Sequence, residues 1–236
     1  MSESPADIAK INAARRGADY VKDGMIVGLG TGSTAAHLVR VLGARVKDGL
    51  KFHGVPTSEA TLRLARACGI AMLDPDESPP IDLTIDGTDE VDPRFRLIKG
   101  GGGALLREKI IAASSADYVI IADEAKPVET LGAFPLPVEV VSFGLALTRR
   151  KIEAALRDTG CAGARAAARN DVTGAPFISD GGNMILDCHC GRIPDPDALA
   201  EALAHIPGVV EHGLFIGMAK TLIIGSVAGA EVRTAP

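Results

Sequence analysis

The chain has 236 residues, 47% of them hydrophobic, so it can bury a sizeable core, and with 3% aromatics and no Trp that core must be built from Val, Ile, Leu and Ala. A net charge of -5, with basic residues scattered rather than run together, argues against a nucleic-acid binder, which needs a basic face toward phosphate. The four cysteines have no CxxC spacing, the N-terminus has neither a basic nor an apolar leader region, and no apolar run reaches membrane-spanning length. These features predict a cytoplasmic protein with free thiols.

Ile8, Ile11, Ala14, Ala18 and Val21 recur at helical spacing, and Asp23-Gly24 ends that helix. Met25 to Leu29 is a short apolar run that stops at glycines and reads as a buried strand. Ala35, Leu38, Val39, Leu42 and Val46 form a second helical face, and Lys51 to Val55 a second strand. Ser58 caps a helix running to about Cys68, with Glu59 in its first turn. Ile70–Leu73 and Ile81–Ile85 are further strands, 104–113 is helical, and Tyr118–Ala122 is another strand. This alternation predicts a mostly parallel sheet covered on both faces, in which ligands bind at the carboxyl ends of the strands.

Near Phe134-Pro135-Leu136-Pro137 the pattern changes, and two close prolines suggest a crossover. A helix from about Leu145 to Arg157 follows, then turn residues at Asn170-Asp171 and Asp180-Gly181-Gly182-Asn183, then a strand at Met184–Leu186. Asp195-Pro196 starts a helix lined by Leu199, Leu203 and Ile206, and Pro207-Gly208 stop it. We therefore expect a small α+β domain over 134–207 and a large domain over 1–133 and 208–236, with Thr221–Val227 as one more apolar strand. Cys188-His189-Cys190 looks metal-like, but it continues the apolar run Met184-Ile185-Leu186, so alternating strand positions account for it.

Four loops carry chemistry, and each follows a strand. Gly30-Thr31-Gly32-Ser33-Thr34 opens a helix and offers backbone N–H groups and hydroxyls to an anion or a hydroxylated ligand. A dinucleotide fingerprint fails here, because Ser33 stands where a glycine is needed and His53-Gly54-Val55-Pro56 supplies no acidic residue. A P-loop fails too, for want of a lysine. Asp86-Gly87-Thr88-Asp89-Glu90 places two carboxylates three residues apart at a strand end, which suits proton handling between neighbouring hydroxyls. A calcium loop is excluded there, since Pro93 stands at the position of the bidentate Glu.

The third loop, Lys99-Gly100-Gly101-Gly102-Gly103, exposes amides at another helix start. Lys99 suits a developing oxyanion, and Glu108 lies about one turn into the helix, where an isolated carboxylate more often only complements the helix dipole. In the fourth, Ala122-Asp123-Glu124-Ala125-Lys126, the lysine can hold a phosphate, although on its own it reads as a surface lysine. Carboxylates, lysine and anion-cradling turns together form the kit for aldose–ketose interconversion, a route that needs neither metal nor redox cofactor.

Those motifs, in that order and spacing, with Arg107-Glu108-Lys109, Ile206–Val210 and Gly213-Leu214-Phe215, resemble type A ribose-5-phosphate isomerase along nearly the whole chain. The resemblance implies a Rossmann-like α/β domain with a small α+β, ferredoxin-like domain, assembled as dimers or tetramers. It implies interconversion of ribose 5-phosphate and ribulose 5-phosphate through an enediolate, in the non-oxidative pentose phosphate pathway, without a cofactor. In the roles it implies, Glu108 is the general base and Lys99 stabilises the enediolate, while Asp86, with Asp89 beside it, opens the ring and moves the hydroxyl proton. Thr31, Gly32, Ser33, Thr34, Gly87, Gly100 and Gly101 bind substrate, and Lys10 and Lys126 bind its phosphate. The segments Asp180–Asn183, Asp187–Gly191 and Gly217–Lys220 depart from the family pattern. A sugar-phosphate sensor is the competing reading. It would need a DNA-binding helix pair, and only one helix precedes the first strand.

Overall fold

A computed structural model describes residues 4–235, so part of the N-terminal stretch read above for a leader lies outside the described residues. The first elements are α1 (Pro5–Ala18), β1 (Ile26–Leu29), α2 (Ser33–Lys47), β2 (His53–Pro56), α3 (Glu59–Ala67), β3 (Ala71–Met72) and β4 (Ile81–Asp86). Next come β5 (Glu90–Val91), β6 (Leu97–Ile98), α4 (Leu105–Ala113), β7 (Ser115–Asp123), β8 (Leu136–Val140), α5 (Leu145–Asp158), β9 (Arg165–Ala168) and β10 (Met184–His189). The chain ends with α6 (Pro196–Ala204), β11 (Val209–His212), β12 (Leu214–Phe215), β13 (Thr221–Ser226) and β14 (Gly229–Thr234).

The chain divides into two units, the first comprising residues up to Thr88, Arg107–Lys126 and Met218 onward. This unit holds a seven-stranded sheet in the order β14-β13-β7-β4-β1-β2-β3. All its neighbouring strands are parallel except β13 and β14. From β1 the chain winds outward through β2 to β3, then crosses to β4 on the other side of β1. The strand order therefore reverses between β1 and β4, and in such sheets that switch point opens the ligand crevice. The core is aliphatic as the composition requires, built on Leu29, Leu38, Leu42, Ile85, Val119, Ile121 and Ile223, all essentially inaccessible. At about 25 cal/mol per Å² of apolar surface, their burial is a main stabilising term of the unit. The strand Thr221–Ser226 joins this sheet beside β7.

The second unit comprises Asp89–Leu106 and Pro127–Gly217. Its four-stranded antiparallel sheet runs β11-β8-β10-β9, and with α5 and α6 it forms the β-α-β-β-α-β ferredoxin-like arrangement. Leu136, Val138, Val140, Ile152, Leu156, Leu186 and Leu203 fill its core. A three-stranded sheet, β12-β6-β5, belongs to the same unit. Residues 89–106, 127–133 and 208–217, attached to the large domain in the sequence reading, thus group with the smaller one. The strands concerned include β5, β6 and β12, which are too short to show a period. The stretch read as a crossover at Phe134–Pro137 runs directly into β8. Pro137 forgoes a ladder N–H there, but its carbonyl accepts from Gly213 N–H at 2.8 Å.

Candidate active site

In the first unit, β1 and β4 lie side by side and their ends carry the loops. Gly30 N–H donates to the Ile85 carbonyl at 3.0 Å, continuing the pairing past the end of β1. A Cβ on Gly30 would stand 2.0 Å from Asp86 Oδ1, so only glycine lets the carboxylate in. Asp86 is fully buried. Its Oδ1 accepts from Thr31 N–H at 3.0 Å and from Gly87 N–H at 2.7 Å. Hydrogen bonds thus bring Thr31, Asp86 and Gly87 together, and the loop after β1 fixes the carboxylate at the end of β4.

Gly32 has φ 111°, which favours glycine, and it precedes α2 with no side-chain cap. The first-turn N–H groups of α2 therefore lack the acceptor that a capping side chain would supply. Ser33 is exposed and Thr34 buried there. Glu108 sits in the first turn of α4 and is 3% exposed, while its neighbour Arg107 turns to Glu59 at 2.9 Å. Lys126 closes the turn after β7, its N–H donating to the Asp123 carbonyl at 3.1 Å. Lys10 is half-buried on α1, where its charge helps the Ser4 hydroxyl hold the Asp7 carboxyl below its ordinary value.

In the second unit, Lys99 is 2% exposed, its N–H donates to the Gly213 carbonyl at 2.9 Å, and its Nζ lies 5.4 Å from the Phe215 ring centroid. That distance suits a cation–π contact, which holds a charge in an apolar setting. The Asp89 carboxylate accepts from Gly101 N–H at 2.8 Å, joining two of the predicted residues. A Cβ on Gly101 would lie 2.7 Å from Asp89 Oδ1, and Gly100 has φ 102°.

Several supporting residues escape a reading of the sequence. Glu90 accepts from Gly132 N–H and Phe134 N–H at 2.6 and 2.5 Å. Arg169 reaches the carbonyls of Gly100 and Gly101. Thr57, Ser58 and Thr61 surround the Thr31 hydroxyl. Of these, only Ser58 gave a signal in sequence, as a helix cap, and its Oγ does accept from Thr61 N–H at 3.1 Å.

Cys188-His189-Cys190 follows the alternating strand reading, with Cys188 buried and His189 exposed in β10. Burial pushes the Cys188 thiol well above its ordinary range, and burial together with Cys161 pushes Cys190 up to about 12. Among the described residues, no cluster of three or more His, Cys, Asp or Glu side chains is arranged to hold a metal ion. No helix among them is long and apolar enough to cross a membrane.

A sequence model of the family described as ribose 5-phosphate isomerase A (phosphoriboisomerase A) matches residues 53–229. Ribose-5-phosphate isomerase A of Rhodopseudomonas palustris (strain HaA2) is 56% identical over 225 residues, covering 95% of this chain and 96% of that protein. Among solved structures, ribose 5-phosphate isomerase A from Methanocaldococcus jannaschii superposes with a TM-score of 0.89 at 36% identity, covering 98% of this chain and 100% of the other. A D-ribose-5-phosphate isomerase in complex with phospho-erythronic acid superposes with a TM-score of 0.87 at 35% identity, covering 98% of this chain and 100% of the other.

Proposed function

The chain belongs to the ribose 5-phosphate isomerase A family, which interconverts ribose 5-phosphate and ribulose 5-phosphate, and from that premise we propose how its residues share the work. Glu108 takes the proton from C2 of the open-chain aldose and returns it to C1. Asp86 carries the hydroxyl proton from O2 to O1, and Asp86 and Asp89 assist ring opening. Lys99 stabilises the enediolate between these steps. Every proton that leaves the sugar returns to it, so the reaction balances without an oxidant. Gly32, Ser33 and Thr34 bind sugar hydroxyls, Gly87, Gly100 and Gly101 let the substrate approach the backbone closely, and Lys126 and Lys10 take the phosphate.

The observation that carries this reading is the placement of Asp86. It is a fully buried carboxylate at the switch point of a parallel sheet, held by the N–H of Thr31. A phosphorylated sugar acid has a phosphate and a planar carboxylate, the shape of the enediolate and its tail. The relative solved with phospho-erythronic acid supports the expectation that this compound competes with substrate here. The free thiols support work in the cytoplasm, and the family resemblance supports a homodimer or homotetramer. The net charge of -5 supports a small-molecule substrate with neither nucleic acid nor membrane as partner.

Proton NMR of the protein with ribose 5-phosphate in D2O and excess EDTA tests the reaction. Ribulose 5-phosphate should appear with deuterium at the exchanging carbon. No conversion at high protein concentration would sink the proposal and move a sugar-phosphate sensor to the front.

A further inference from the structure

The side chain of Thr31 is turned into its own unit. Its hydroxyl donates to Ser58 Oγ at 2.8 Å, and Ser58 donates on to Thr61 Oγ1 at 3.1 Å. Thr61 in turn donates to the Gly30 carbonyl at 2.9 Å, so the hydroxyl protons run in one direction and end on the residue before Thr31. On another side, Thr57 Oγ1 lies 2.7 Å from Thr31 Oγ1 and also faces the Leu29 carbonyl at 3.0 Å. Thr61 Oγ1 is itself 3.2 Å from Thr31 Oγ1. Thr57, Ser58 and Thr61 are 0%, 4% and 5% exposed, so water does not compete for them.

A threonine hydroxyl has one proton and two lone pairs. At Thr31 the proton goes to Ser58 Oγ, and the Thr57 and Thr61 hydroxyl oxygens stand 2.7 and 3.2 Å from the same oxygen, so three buried protein hydroxyls take up the space around it that a ligand would need. The backbone N–H is taken as well, by Asp86. From this crowding we infer that Thr31 is a positioning residue and that its hydroxyl is not a substrate ligand. The relay from Thr31 through Ser58 and Thr61 to Gly30 locks the loop so that the Thr31 N–H aims the Asp86 carboxylate. Substrate contacts then fall to Ser33, Thr34 and the open amides of α2. The inference rests on the site proposed above and revises the role that resemblance alone gives Thr31. Buried hydroxyl chains of this kind strengthen one another, and breaking one link strands the next acceptor.

Thr61 belongs to none of the substrate loops, so it reports on the relay alone. Thr61→Val keeps the shape and removes the hydroxyl, whereas Thr61→Ser keeps the hydroxyl. Thr61→Val should lower kcat about tenfold with KM within about threefold, the signature of a displaced catalytic group. Thr61→Ser should restore kcat to within about twofold of the parent. Thr31→Val should match Thr61→Val, and the double variant should fall no further than the weaker single one, because both break one network.

A rise in KM for Thr31→Val beside parental kinetics for Thr61→Val would overturn the inference and return Thr31 to the substrate. Equal losses in Thr61→Val and Thr61→Ser would overturn it as well, since packing would then be the cause. If Thr61→Val does not fold, Ser58→Ala cuts the relay at its middle link, and a parental kcat in that variant is the refuting result. A parent protein that fails to isomerise ribose 5-phosphate sinks the site itself. An active parent with an unaffected Thr61→Val sinks only the relay.

Discussion

Arg169 meets Asp187 fork to fork, Nε to Oδ2 at 2.9 Å and Nη2 to Oδ1 at 2.5 Å, and its remaining nitrogen reaches the carbonyls of Gly100 and Gly101 at 2.9 and 3.1 Å. The guanidinium also lies 5.8 Å from the Phe177 ring centroid. One ion pair thus fixes the carbonyl side of the glycine loop, while Asp89 takes the N–H of Gly101. The side chains are 13% and 21% exposed, so salt screens them little.

Arg169→Lys keeps the charge and loses the fork, because a single ammonium cannot serve two carboxylate oxygens and two carbonyls at once. We expect kcat to fall about tenfold through loosened geometry at Lys99. Arg169→Ala should cost about 3 kcal/mol of stability by leaving Asp187 uncompensated. Steady-state kinetics and thermal melts check both. Parental kcat and melting temperature in Arg169→Lys would show that the fork does not support the loop.

Glu108→Gln should leave binding of phospho-erythronic acid largely intact and lower turnover by roughly 10²–10⁴-fold, the usual contribution of a general base. Inhibitor affinity by calorimetry and exchange of the C2 proton by NMR separate the two effects. A variant that still exchanges that proton at the parental rate rules Glu108 out as the base.

Gly30→Ala and Gly32→Ala should fail differently. At Gly30 a methyl would meet Asp86 Oδ1 at 2.0 Å and the Asp86 Cα at 2.5 Å, and backbone cannot yield as a flexible side chain does. Activity should fall about a hundredfold with a stability loss of about 1–3 kcal/mol. At Gly32 nothing lies within 4 Å, but φ is 111°, so the penalty is backbone strain of about 1–2 kcal/mol. Chemical denaturation and kcat of the two variants, compared side by side, provide the check. Equal kcat values would mean that the Asp86 carboxylate is not held by the Gly30 turn.

The large sheet was legible because its strands are runs of buried aliphatics bounded by glycine, as at Ile81–Asp86 and Ser115–Asp123. The candidate site was legible for a related reason: its carboxylates, lysines and glycines fall directly after those strands, where packing alone does not demand them. What stayed hidden depends on tertiary approach. Thr31 and Thr57 meet because β1 and β2 pair with Leu29 opposite Pro56, a register that no local pattern announces. Arg169 finds Asp187 because β9 and β10 are antiparallel with Ala168 opposite Leu186. Asp187 therefore read as a departure from the family pattern, although it anchors the glycine loop through Arg169. Strands as short as Glu90–Val91 and Leu97–Ile98 exist through their partners, so they leave no periodic trace.

The cysteines of the smaller unit give the protein an alkaline limit. Burial first, and then the neighbouring Cys161 thiol, pushes Cys190 up to about 12 from an ordinary value of 9.0, and burial pushes Cys188 in the same direction. A thiol whose pKa is raised by folding keeps its proton in the native state at a pH where the unfolded chain releases it. Its contribution to stability is therefore complete below about pH 9 and is lost as pH climbs toward about 12. The melting temperature should be flat up to the lower value and then fall, and Cys190→Ala should flatten part of that fall, which separates the thiols from lysines and tyrosines titrating in the same range. Protonated, buried thiols are also poor nucleophiles. Iodoacetamide at pH 8 should therefore modify the half-exposed Cys68 well before Cys161 or Cys188, as peptide mass spectrometry of the native protein would show. Rapid native labelling of Cys188 would mean that the core around β10 opens far more readily than its packing implies.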